Sequence, residues 1–182
     1  MRVITGTARG RKLVAPQGLD TRPTSDMAKE ALFSIIQFEV EGSAVLDLFA
    51  GSGQLGIEAL SRGARSAVFV DSSREANQAI TENLENTKLK DRARITMMDA
   101  AAFLKTVREP FDIALLDPPY NKGLIAAVLP LLVPCMNPGG IILCETQRDE
   151  MLPEAVGIFA TRKEYRYGKA KLTTYRALKE TL

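Results

Sequence analysis

Apolar residues in this chain fall into short unbroken runs separated by segments where they recur every three or four positions. The runs at 45–49, 67–70, 94–97, 113–116 and 141–145 are apolar nearly throughout instead of alternating with polar residues. Between them, 54–62, 74–84, 100–107 and 124–132 show helical spacing, the first closed by Gly63. Strands apolar on both faces and separated by helices predict an α/β fold, with a mostly parallel sheet covered on both sides. The tail differs: 158–167 and 171–178 flank Gly168 and read as two antiparallel strands. At the other end, 3–15 hold short β-type runs around Gly6 and Gly10, expected as a basic hairpin. Ser25 or Asp26 then caps a helix reaching about Phe38, with Ala28, Leu32, Ile35 and Ile36 on one face. The pattern predicts a basic N-terminal extension over 1–42 and one further domain over 43–182.

The stretch 111–120, FDIALLDPPY, carries the most chemical information. Pro118 and Pro119 lack the N–H that a central strand needs, so the strand must stop at Asp117 and leave in a rigid extended turn. The carboxyl end of a buried strand is where open α/β sheets place ligands. Asp117, the Pro118 carbonyl and the ring of Tyr120 then offer acceptors beside a stacking surface, which suits a flat base carrying an exocyclic amine.

Asp47 to Gly56, DLFAGSGQLG, joins the first core strand to its helix and matches G-x-G-x-x-G at Gly51, Gly53 and Gly56. The first two glycines allow a ligand close to the backbone, and the third allows tight helix–strand packing. Asp71 ends the second strand, where a carboxylate accepts ribose hydroxyls. These features alone fit NAD as well as S-adenosylmethionine. Asp47 favours the latter, since it attracts a cationic amino-acid end and repels a pyrophosphate. Asp99 ends the third strand, as an acceptor for an adenine amine, as a helix N-cap, or as both.

Charge and composition narrow the field. The formal net charge of +2 divides into +4 over 1–29, −7 over 30–159 and +5 over 160–182. Basic ends on an acidic body point to nucleic acid, with Arg9, Arg11, Lys12 and Arg22 as candidate phosphate contacts. The absence of histidine excludes His-based triads and most catalytic zinc sites, and no metal is expected. Cys135 and Cys144 have no metal or redox spacing, and Cys144 reads as a buried structural thiol. No apolar run approaches the roughly 20 residues of a membrane span, and the N-terminus lacks a signal-peptide core, so a cytoplasmic protein is expected.

With these residues assembled, the chain resembles the class I S-adenosylmethionine-dependent methyltransferases, and more narrowly the bacterial 16S rRNA guanine-N2-methyltransferases. The resemblance lies in MRVITGTARGRKL at 1–13, TRPTSDMAKEALFSII at 21–36, LDLFAGSGQLGIEALSRGA at 46–64, VDSSREANQAITEN at 70–83, the DPPY strand, and PGGIILCE at 138–145. Met27 and Lys29 stand where that family commonly has arginines, and Gln54 where it has a small residue. The resemblance implies a Rossmann-like, seven-stranded, mostly parallel sheet with an antiparallel last strand. It also implies S-adenosylmethionine as cofactor, with Asp47, Gly51 and Gly53 on its methionine side, Asp71 at the ribose and Asp99 at the adenine. Asp117, Pro118 and Tyr120 would hold a guanine everted from 16S rRNA or the small ribosomal subunit. The protein is expected to act as a monomer.

Competing readings remain at this level. A DNA adenine or cytosine amino-methyltransferase shares DPPY, although 182 residues leave little room for a sequence-reading module, and an adenine N6 methyltransferase of another RNA is a further alternative. A protein glutamine methyltransferase carries asparagine where this chain has Asp117. An NAD-dependent oxidoreductase lacks its proton-transfer residue here. A non-catalytic RNA-binding scaffold does not need the intact acids.

Overall fold

The structure, a computed structural model, describes residues 1–18 and 25–178; Arg22 lies outside the described residues. The elements follow in the order α1 (Asp26–Ile35), β1 (Ala44–Leu48), α2 (Gln54–Ser61), β2 (Ser66–Asp71), α3 (Arg74–Thr87), β3 (Ala93–Met97), α4 (Ala100–Thr106), β4 (Phe111–Leu116), α5 (Leu124–Leu132), β5 (Met136–Gln147), β6 (Ala155–Val156), β7 (Phe159–Tyr167) and β8 (Ala170–Ala177). The sheet has the order β3-β2-β1-β4-β5-β8-β7-β6. Strands β1 to β5 are parallel, and β8 inserts antiparallel between β5 and β7.

The inserted antiparallel last strand is as expected, but the sheet has eight strands among the described residues, not seven. The eighth is β6, two residues that turn back at Gly157 (φ +57°) and pair Val156 with Phe159. So short a strand leaves no periodic trace. Strand β5 is also longer than its apolar run, because Asn137-Pro138-Gly139-Gly140 continues it as a bulge opposite β4. Helix α1 stops at Ile35, short of Phe38, and the chain turns to bury Ile36 and Val40 and to set Glu39 against Arg176 at 2.5 Å.

Strand residues alternate between two cores, as the pleat requires. Val45, Ile113, Leu115, Ile141 and Leu143 pack under α1, α2 and α3, together with Val3, Ala8 and Leu13 of the N-terminal segment. Leu46, Leu48, Ala114, Leu116, Ile142 and Cys144 pack under α4 and α5. Cys144 is fully buried as expected, and burial pushes its thiol up.

The N-terminal segment folds back on itself with one antiparallel bridge, Arg2 to Lys12. Val3 N–H donates to Arg11 O and Leu13 N–H to Met1 O across the fold-back, while other donors go to α2. Ile4 and Thr5 N–H donate to the two oxygens of Glu58 at 2.8 and 2.9 Å, and Ala8 N–H donates to Ser61 Oγ at 2.9 Å. Gly6 (φ +91°) lies so close that a Cβ there would sit 1.8 Å from Ser61 O. Lys29 is fully buried between α1 and this segment, where its Nζ donates to Arg2 O at 2.6 Å and lies 3.8 Å from Glu58. Desolvation lowers its pKa, and Glu58 acts against that shift. Lys29 also donates to Gln54 Oε1 at 3.5 Å, so two of the departures from the resembled family's pattern meet each other. Lys29 therefore serves the fold and does not face RNA.

Candidate active site

The glycine loop is held in shape by its neighbours. Phe49 (φ +69°), Gly51 (+57°) and Gly53 (+75°) all take left-handed backbone, which a β-carbon disfavours at Phe49. Gly53 ends the loop as the N-cap of α2. At Gly56 a Cβ would meet the Phe69 ring at 2.3 Å, so the expected close helix–strand approach is real. Asn83 grips the loop from behind: its Nδ2 donates to Ser52 O and to Val14 O, both at 2.9 Å, and its Oδ1 accepts Val14 N–H. One buried amide thus joins the cofactor-type loop to the N-terminal segment.

The acids gather at the strand ends. Asp71 accepts Gly51 N–H on one oxygen and Ser73 N–H on the other, each at 2.9 Å. Asp99 is exposed and caps α4 through Ala102 N–H at 2.9 Å, so its capping role is present. Asp47 is buried and accepts Gly56 N–H at 2.8 Å. Burial pushes the Asp47 carboxyl up to about 8; the Gly56 bond acts against the shift, and the charges of Asp117 and Asp71 add to it. Asp47 therefore feels the charges of both Asp117 and Asp71.

That shift has a testable consequence. An unfolded aspartate ionises near about pH 3.9. Between that pH and about 8 the unfolded chain has lost this proton while the folded chain keeps it, so this group's contribution to stability falls as pH rises. Asp47→Asn keeps an acceptor for Gly56 and removes the titration. The variant should be more stable than wild type near pH 8, on the order of a few kcal/mol, with the gap closing toward about pH 4 in urea denaturation. Equal unfolding midpoints across that range would show that Asp47 is already ionised.

Strand β4 ends at Leu116, and Asp117-Pro118-Pro119-Tyr120 leaves the sheet as expected, with Asp117 half-buried and Pro118 buried. The hydroxyl of Tyr120 donates to Glu145 Oε1 at 2.8 Å. Asn121 (φ +57°) follows, donating its side-chain amide to Gln147 Oε1 and its N–H to Glu150 Oε2, which ties the turn to the end of β5. Glu145 received no role from the sequence because it reads as the last residue of an apolar run. Its signal was present: it is an acid at the carboxyl end of a core strand, like Asp47, Asp71 and Asp99. Leu116 pairs with Cys144, so Asp117 and Glu145 follow side by side on neighbouring strands. By strand alternation, Asp47 after Val45, Asp117 after Leu115 and Glu145 after Leu143 rise on the face covered by α1 to α3.

Arg9, Arg11 and Lys12 are exposed on that face, while Val3, Ala8 and Leu13 anchor the segment beneath them. Residues 6–8 lie against Ser61 at the far end of α2, whereas Val14 lies beside the glycine loop.

A parallel sheet extended by an inserted antiparallel strand, with a glycine loop after β1 and acids at the following strand ends, is the class I methyltransferase fold. The solved structure of yhhF from Escherichia coli superposes with a TM-score of 0.84 at 33% identity over 97% of each chain. The chain belongs to the family described as conserved hypothetical protein 95, which matches residues 1–176. It is 42% identical over 182 residues to the protein YlbH of Bacillus subtilis, covering 97% of this chain and 98% of that one. It is 33% identical over 177 residues to the ribosomal RNA small subunit methyltransferase D of Escherichia coli, covering 96% and 89%. Among the described residues no helix is long and apolar enough to cross a membrane.

Proposed function

We propose that the protein is a methyltransferase acting on ribosomal RNA, and that it modifies the exocyclic N2 amine of a guanine in 16S rRNA. The reading rests most on Asp117, which two prolines fix at the end of β4 between the glycine loop and the Tyr120–Glu145 pair. The E. coli relative is named for small-subunit ribosomal RNA, which supports the substrate class.

S-adenosylmethionine fits the residues present. A cationic ligand would favour the ionised form of Asp47, which burial otherwise opposes, and left-handed Gly51 leaves open space at the loop. Each Asp71 oxygen already accepts one backbone N–H and has a lone pair left for a ribose hydroxyl. When bound, the cofactor supplies an activated methyl group on a sulfonium. The remaining work falls to the chain. Asp117 and the Pro118 carbonyl accept the amine hydrogens and turn the nitrogen lone pair toward the methyl group. The same acceptors stabilise positive charge as it develops on that nitrogen. Tyr120 stacks on the everted base, offsetting the unstacking cost by roughly 1–3 kcal/mol. Asp117 is also placed to take the proton that the methylated amine releases.

Phosphate contacts are assigned to Arg9, Arg11 and Lys12. Replacing all three with glutamine should weaken RNA binding about tenfold or more and flatten its dependence on salt concentration, measured by filter binding from low to physiological salt. Unchanged affinity and slope would make the segment solvated surface only.

A further inference from the structure

We propose that Glu145 reads the ring N1–H of the target base and so restricts the pocket to guanine; this rests on the guanine reading above. Three observations carry it. Glu145 is only 5% exposed at the end of β5, where Leu143 and Cys144 before it are apolar and fully buried. A carboxylate is costly to keep in such a place without a use for it. It lies beside Asp117, one step beyond the paired Leu116 and Cys144, on strands roughly 4.8 Å apart. Third, the Tyr120 hydroxyl donates to Glu145 Oε1 at 2.8 Å, which locks the aromatic ring and this carboxylate into one unit. A base lying on that ring presents its edge to both acids.

The bases differ at that edge. Guanine places a ring N–H donor next to its amine, so amine and ring nitrogen both donate. Adenine and cytosine place a ring nitrogen lone pair beside theirs. The Tyr120 hydroxyl donating to Glu145 favours its charged form, and a charged carboxylate only accepts. With Asp117 and Pro118 on the amine, Glu145 completes a set of acceptors that matches guanine and faces the other two with like-signed charge. Sites built on a required hydrogen bond discriminate far more strongly than those built on shape. Asn121 and Gln147 hold the turn against β5 and keep the two acids in register.

The test uses wild type and Glu145→Gln on small-subunit RNA ligated to carry either guanine or 2-aminopurine at the nucleotide that wild type labels. 2-Aminopurine keeps the N2 amine but has an N1 lone pair in place of N1–H. Wild type should prefer guanine by about 100-fold or more in kcat/KM. Glu145→Gln offers 2-aminopurine a donor, so its preference should narrow by at least about tenfold, with cofactor affinity unchanged. Tyr120→Phe keeps the ring and the carboxylate but releases Glu145 Oε1, so it should narrow the preference less than Glu145→Gln does. A Glu145→Gln variant that loses both substrates in equal proportion, or keeps the full preference, would overturn the role. Wild-type transfer to adenine and not to guanine would instead overturn the guanine reading itself.

Discussion

Asp117→Ala abolishes methyl transfer for practical purposes, lowering kcat by about 10²–10³-fold, while cofactor affinity stays within a few-fold of wild type. The size follows from what the side chain does. The amine of guanine is a weak nucleophile, because its lone pair is delocalised into the ring. Its activation depends on acceptors that are in place before charge develops, and the two prolines supply that rigidity. Cofactor affinity is spared because Asp71, Gly51 and Gly53 are held by bonds that do not involve Asp117. Removing the Asp117 charge also relieves part of the upward push on the Asp47 carboxyl. Single-turnover rates and equilibrium cofactor titration of the same variant separate the two effects. Near-normal turnover would remove Asp117 from the chemistry.

Glu58→Ala should have the largest effect on stability, about 3–5 kcal/mol, because it leaves the Lys29 ammonium buried without its counter-charge. Two backbone N–H groups, Ile4 and Thr5, lose their acceptor in the same step, as does Arg62 Nε. For a chain of this size the melting temperature should fall by roughly 10 °C or more. Pairing the change with Lys29→Met removes the stranded charge and should recover part of the loss, which a double-mutant cycle measures. A fall of less than about 1 kcal/mol in Glu58→Ala would show that Lys29 reaches water in the folded chain.

The parallel core was legible because its strands are apolar on both faces, and α5 over Leu124–Leu132 has the expected bounds. The glycine loop, Asp71 and the DPPY exit were legible because glycine and proline act locally on backbone. What escaped depends on partners distant in the chain. Lys29 looks like a surface base until α2 brings Glu58 to it from 29 residues away. Glu145 gains a role only once Tyr120 folds across from the neighbouring strand. Strand β6 exists because β7 offers it an edge, and the extension of β5 through Pro138 exists because a bulge absorbs it.

The most direct measurement supplies labelled S-adenosylmethionine to the purified protein with undermodified small ribosomal subunits, free rRNA and DNA in parallel, and identifies the labelled nucleoside. Label in N2-methylguanosine from 16S rRNA is the predicted result. Label confined to DNA, or to N6-methyladenosine, would leave the fold and the transfer chemistry standing and contradict the assigned substrate.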